Sequence, residues 1–154
     1  MTSRQRDRVE SYIRGAIDDG ARLVTGGSRP QDQPTGWYVQ PTVFDEVTPD
    51  MSIAKEEVFG PVVTILTYDT TDEANSIANS TEYGLAGSIW STDTEHALAL
   101  SKRIATGIVA LNGFGWQFNT PFGGVKSSGL GREMGPESLE AYTEYQSVLL
   151  PCAG

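Results

Sequence analysis

The stretch Ile53-Ala54-Lys55-Glu56-Glu57-Val58-Phe59-Gly60-Pro61-Val62-Val63-Thr64-Ile65-Leu66-Thr67 joins two adjacent carboxylates to a Phe-Gly-Pro turn and then to an apolar run. Val62 to Leu66 is too short to span a membrane and too evenly apolar for a half-exposed strand. It reads as a central strand covered on both faces, as in a parallel sheet. The acidic pair then sits beside the start of that strand, where a ligand can reach it.

Downstream, Thr70-Thr71-Asp72-Glu73 has the form of a capping box, opening a helix through Ala74, Ile77 and Ala78 with Gly84 marking its exit. Leu85 to Trp90 is the next expected strand. Thr92-Asp93-Thr94-Glu95 repeats the box and opens a helix through Ala97, Leu98, Ser101, Ile104 and Ala105, with Gly107 expected at C′. Ile108 to Leu111 is a third strand. Strand, helix, strand, helix, strand with short joints is the pattern of right-handed parallel crossovers. The expected fold class is α/β, a mainly parallel sheet with crossover helices.

Upstream, Thr2 or Ser3 can cap a helix whose apolar positions Val9, Tyr12, Ile13, Ala16 and Ile17 keep helical spacing, with Gly20 as its stop. Arg22 to Val24 is a short strand candidate and 26–36 a polar loop. Trp37 to Phe44 carries β-forming residues, but Pro41 lacks a ladder donor and restricts the segment to an edge or breaks it. Beyond the third strand, 112–132 has no periodicity, yet Phe114, Trp116, Phe118 and Phe122 stand there among glycines. A loop with that many large rings is usually lining something. Pro136 to Tyr142 reads as a helix and Tyr145 to Leu150 as a final strand.

At 154 residues the chain is one domain in size, and 11 basic against 20 acidic side chains give a net charge of −9. Nucleic-acid backbones and anionic membranes are repelled by such a surface. The single cysteine, Cys152, forms no internal disulfide, and no charged-then-apolar leader opens the chain. Both features point to a reducing, cytoplasmic setting. No metal-binding residues are assigned. Gly129-Leu130-Gly131 with Gly135 lacks the spacing of a dinucleotide fingerprint, and 123–127 lacks that of a phosphate loop. These glycines are expected to serve turns with positive φ.

Three segments carry a resemblance to a known family: Lys55-Glu56-Glu57-Val58-Phe59-Gly60-Pro61, Glu82-Tyr83-Gly84-Leu85-Ala86-Gly87 and Pro121-Phe122-Gly123-Gly124-Val125-Lys126-Ser127-Ser128-Gly129. In that order they resemble the C-terminal part of the NAD(P)-dependent aldehyde dehydrogenase superfamily, over about residues 5–150. The resemblance implies part of the family's catalytic domain over 1–132, and over 133–154 a C-terminal helix and oligomerisation strand.

In this family a thiolate attacks the aldehyde, the thiohemiacetal gives a hydride to the nicotinamide, and a glutamate-activated water releases the acid. By resemblance Glu57 accepts hydrogen bonds from the nicotinamide ribose of NAD or NADP, because an ionised carboxylate can hold a vicinal diol. Phe59 packs near the nicotinamide, and Gln5 and Arg8 reach the same ribose, with Arg8 standing where a lysine is common. Trp116 and Phe122 correspond to positions lining the aldehyde tunnel, which favours an apolar or aromatic aldehyde. Strand 145–150 resembles the one through which subunits join, implying a homo-oligomer through that strand or exposed sheet surface.

The nucleophile, general base and dinucleotide-binding half have no counterpart in these 154 residues, so the chain alone is expected to be inactive. Glu56 is expected to be a surface charge. A competing reading is a non-catalytic association module pairing with itself or relatives. A third is an independent thiol enzyme using Cys152, which its position near the chain end disfavours.

Overall fold

The computed structural model describes residues 2–115 and 117–151. Trp116 and Cys152 therefore lie outside the described residues. The chain divides into two compact units, Met1–Thr81 and Glu82–Gly154.

The first unit begins with α1 (Ser3–Asp18), whose Thr2 hydroxyl accepts the amide of Gln5 as an N-cap. Its stripe Val9, Ile13 and Ala16 is buried. Tyr12 is only half-buried and Ile17 is exposed, so the apolar face is narrower than the spacing suggests. Against the stripe lies a three-stranded sheet in the order β1 (Arg22–Thr25), β2 (Thr42–Asp45), β3 (Val62–Thr64). β1 pairs antiparallel with β2, and β2 pairs parallel with β3, Val62 standing opposite Thr42. Phe44 at the centre of β2 is fully buried with Val9, Ile13, Val39 and Ile53. The one-turn helix α2 (Ser52–Lys55) supplies Ile53 to this core.

Two expectations are corrected here. The central strand is β2, because Pro41 falls just before it and leaves both its edges free to pair. β3 lies at the end of the strand order, and Val63 on it is 58% exposed, so it is not covered on both faces. α3 (Thr71–Asn79) follows, with the Thr70 hydroxyl accepting the Glu73 amide at 3.2 Å. The Glu73 carboxylate returns to the Asp69 amide at 2.8 Å, completing a box shifted by one residue.

In the second unit β4 (Ala86–Ile89) and β5 (Ile108–Leu111) form a parallel pair joined through α4 (Thr94–Ser101). This is the parallel crossover expected. The expected third parallel strand is in the first unit's sheet instead, since strand pairing is a long-range choice that local periodicity does not specify. The cap of α4 is Asp93, not Thr92, its carboxylate accepting the His96 amide at 2.9 Å.

Gly107 is not a helix C′ residue, since α4 has already ended at Ser101. A Cβ there would lie 1.7 Å from the carbonyl oxygen of Gly123, so two backbones pass too closely for any side chain. Gly123 and Gly124 do not take positive φ, whereas Gly129, Gly131 and Gly135 do. Close approach therefore replaces the turn explanation for the first pair. Residues Pro136–Tyr142 form a 3₁₀ helix. Tyr145–Leu150 is not a strand among the described residues: the segment is exposed, with Tyr145 at 97%, and a strand requires a partner ladder.

Among the described residues, no helix is long and apolar enough to cross a membrane.

Candidate functional site

In the first unit, helix α1 presents Gln5, Arg8 and Tyr12 at i, i+3 and i+7, the spacing of one face. All three reach the turn between α2 and β3. Gln5 Nε2 donates to the carbonyl oxygens of Val58 at 3.3 Å and Phe59 at 2.9 Å. Arg8 Nη2 donates to the carbonyl oxygen of Glu57 at 2.8 Å. Three successive carbonyls of the turn are thus tied to one helix face.

Val9 closes the contact from below: a Cβ on Gly60 would come within 2.5 Å of its Cγ2, so only glycine lets the turn lie this close to α1. Phe59 sits at φ +55, a left-handed conformation that a bulky side chain avoids, and the residue is 71% exposed. Backbone held in such a conformation with its ring in solvent is a mark of functional turns. Glu57 is exposed at the head of the same turn. Glu56 is exposed, and its carboxylate accepts the Tyr12 hydroxyl at 2.6 Å. Spacing on α1 shows Tyr12 as an apolar-face residue, and only the fold reveals its polar partner.

Gln5, Arg8, Glu57 and Phe59, singled out in the sequence, are therefore gathered in one place. Gln5 and Arg8 hold the turn's backbone there.

The second unit carries a cavity of about 680 Å³ along β5 and the loop after it, lined among others by Phe114, Gln117, Thr120, Phe122 and Met134. Phe122 is positioned by paired backbone bonds with Glu133, each at 2.7 Å. The Glu82–Gly87 and Pro121–Gly129 segments are knit together beside it. The amides of Gly107 and Val125 both donate to the Gly84 carbonyl oxygen at 3.0 Å, and the Ser127 amide donates to that of Glu82 at 2.8 Å. The Gly84 amide in turn donates to Ser128 Oγ at 3.0 Å. Met134, at φ +57, also lines the cavity, a placement that no sequence motif marks. Phe118 is exposed and does not line the cavity. Among the described residues no cluster of three or more His, Cys, Asp or Glu is placed to hold a metal ion.

The first unit thus carries a clamped acidic turn, and the second a cavity with a mixed polar and aromatic lining, each on α/β scaffolding. The sequence model of the aldehyde dehydrogenase family matches residues 1–148, and the chain belongs to that family. Among curated relatives, the geranial dehydrogenase of Castellaniella defragrans is 54% identical over 145 residues, covering 94% of this chain and 30% of the relative. The betaine aldehyde dehydrogenase of Bacillus subtilis is 43% identical over 151 residues, 96% of this chain and 31% of the relative. An aldehyde dehydrogenase from Mycobacterium tuberculosis, solved with NAD+, superposes with a TM-score of 0.94 at 50% identity, over 97% of this chain and 31% of that one. A mutant aldehyde dehydrogenase C from Pseudomonas syringae, solved with NAD+ and octanal, gives 0.90 at 46% identity, over 93% and 30%. The chain spans about 30% of the length of the relatives it matches.

Proposed function

We propose that this chain is the C-terminal part of an NAD(P)-dependent aldehyde dehydrogenase, an oxidoreductase turning an aldehyde into a carboxylic acid, and that it supplies the nicotinamide-ribose clamp and one wall of the substrate tunnel. The observation that carries this reading is the turn at 57–59, whose three carbonyls are fixed by α1 while Glu57 faces solvent. An ionised carboxylate on a rigid turn is suited to accept two hydroxyl donors at once. Phe59 offers a ring for the nicotinamide to pack against, and Gln5 and Arg8 complete the clamp, directly or by holding the turn. NAD(P)+, when bound, supplies the hydride acceptor. The NAD+ held by the mycobacterial and pseudomonad relatives supports the assignment.

For the substrate we assign Phe122, with Trp116, to the tunnel wall. Within the cavity's mixed lining, Phe114, Phe122 and Met134 favour an apolar aldehyde, as do the geranial and octanal in relatives' names. No residue of this chain is assigned as nucleophile or general base. The chain alone is therefore proposed to be inactive, acting with the dinucleotide-binding half of the family's architecture in a cytoplasmic setting. In this reading residues 1–132 belong to the catalytic domain and residues 133–154 are a C-terminal oligomerisation segment. The sparse core of the second unit supports dependence on further polypeptide: a two-stranded sheet is rarely stable unaided, and Ala97 alone of its described residues is a buried apolar side chain.

A chimera tests the clamp. These residues replace the matching portion of the Castellaniella geranial dehydrogenase, with and without Glu57→Ala. Loss of hydrogen bonds to a charged group should raise the KM for the cofactor roughly 10- to 100-fold. An unchanged KM removes the ribose role from Glu57.

The second reading is an association module. Exposed Tyr145, Val148, Leu149 and Leu150 favour it, since such an apolar run seeks a partner. Sedimentation of the chain is expected to show a homo-oligomer that Val148→Pro weakens; a monomer at high concentration argues against it.

A further inference from the structure

The clamp reading leaves Tyr12 and Glu56 without a part, yet their geometry closes a circuit around Glu57. The Tyr12 hydroxyl donates to Glu56 Oε2 at 2.6 Å and accepts Arg8 Nη2 at 3.3 Å. The same Nη2 donates to the Glu57 carbonyl oxygen at 2.8 Å, and the guanidinium lies 5.3 Å from the centre of the Tyr12 ring. Covalently, Glu56 and Glu57 share the peptide that completes the loop. One residue's side chain and its neighbour's main chain are therefore held from a single point on α1.

We propose that Tyr12 is a positioning residue for Glu57, its hydroxyl locking the Glu56–Glu57 peptide so that the Glu57 carboxylate is aimed at a ligand's vicinal diol. This rests on the ribose-clamp reading. Gln5 fixes the far side of the turn at Val58 and Phe59, but it leaves the rotation of the 56–57 peptide to the Tyr12 and Arg8 side. That peptide and the 57–58 peptide, whose carbonyl oxygen Arg8 holds, together set the direction of the Glu57 Cα–Cβ bond. The circuit is charged at both ends, guanidinium to hydroxyl to carboxylate, so each hydrogen bond polarises the next. Glu56 follows directly on α2, with its amide bonded to Ser52 O, which anchors the near end of the circuit to the core through Ile53. The ring of Tyr12 supports Arg8 in addition, so Tyr12→Phe removes the circuit's centre while keeping the stacking surface.

The test uses the full 154-residue chain and nicotinamide mononucleotide, followed by amide NMR with order parameters measured along the turn. In the unaltered chain the Glu57 and Phe59 amides are expected to be rigid, near an order parameter of about 0.85, and to fall toward 0.6 in Tyr12→Phe. Amides of Val9 and Ile13 should not change. Affinity for the mononucleotide should fall roughly 3- to 10-fold, the effect of one ordinary hydrogen bond. Glu56→Gln, which keeps an acceptor, should retain affinity, whereas Glu56→Ala should match Tyr12→Phe and add nothing to it in the double variant, as expected of one coupled unit. A turn equally rigid in Tyr12→Phe, with unchanged affinity, overturns the proposal. A turn that loosens in Tyr12→Phe while the unaltered chain shows no response to the mononucleotide overturns Tyr12's ligand role, and the Glu57→Ala chimera decides the ribose reading separately.

Discussion

Gln5 Nε2 lies 2.9 Å from the carbonyl oxygen of Phe59, a residue 54 positions away, and donates a hydrogen bond to it. The bond holds a bulky residue at positive φ with its ring in solvent, so the turn's shape is imposed by α1 rather than by its own preference. Gln5→Ala is expected to cost about 0.5–1.5 kcal/mol, the net contribution of such a bond. Phe59→Gly should leave stability unchanged or raise it by up to about 1 kcal/mol, since relief of strain offsets the chain entropy of glycine. Urea denaturation of the two variants reads both; a loss above that range for Phe59→Gly would mean the ring packs in the fold.

Gly107→Ala tests the close approach on which the second unit depends. The new methyl group meets the Gly123 carbonyl oxygen, which is backbone and cannot swing aside. Destabilisation of about 3 kcal/mol or more is expected, at the upper end for overpacking. Faster proteolysis within 120–129 would report it; wild-type resistance would contradict the geometry.

Phe44 holds the first unit together, touching the α1 stripe from the centre of β2. Phe44→Ala should cost about 3–5 kcal/mol through lost burial and the cavity left behind. Thermal melts of the variant check the figure.

Acid should loosen the contact between α1 and the loop after β1. Arg29 donates to both oxygens of Glu10, at 2.5 and 2.8 Å, and this hydrogen bond is the main cause holding the Glu10 carboxyl below its ordinary value of 4.5. A lowered folded-state pKa contributes stability that is complete above 4.5 and lost as the pH falls through the lower folded value. Glu10→Gln should therefore be less stable than wild type at neutral pH and converge with it as the pH falls through the lowered folded value, as denaturant titrations at several pH values would show. A difference that persists unchanged into acid would exclude the carboxylate as its source.

Much of this was legible in the residues, element by element. Val9, Ile13 and Ala16 mark a helix face, and the Thr70 cap is written in its own tetrapeptide. The Glu57–Phe59 turn and Phe122 could be singled out from the segments around them. What eluded the sequence was pairing and proximity. Val62 to Leu66 is apolar whether it is central or terminal in the strand order. Nothing local states that Gly107 is small because Gly123 passes over it, or that Tyr12 faces Glu56 across 44 residues. Tyr145–Leu150 has a strand's composition, but a strand also needs a neighbour.

We propose that these 154 residues hold an aldehyde dehydrogenase's cofactor clamp and tunnel wall without its reactive groups. This claim is tested most directly by incubating the purified chain with NAD+ or NADP+ and a panel of apolar aldehydes and following reduced cofactor by absorbance. The account predicts no formation above background. Steady turnover that disappears in Glu57→Ala would contradict it.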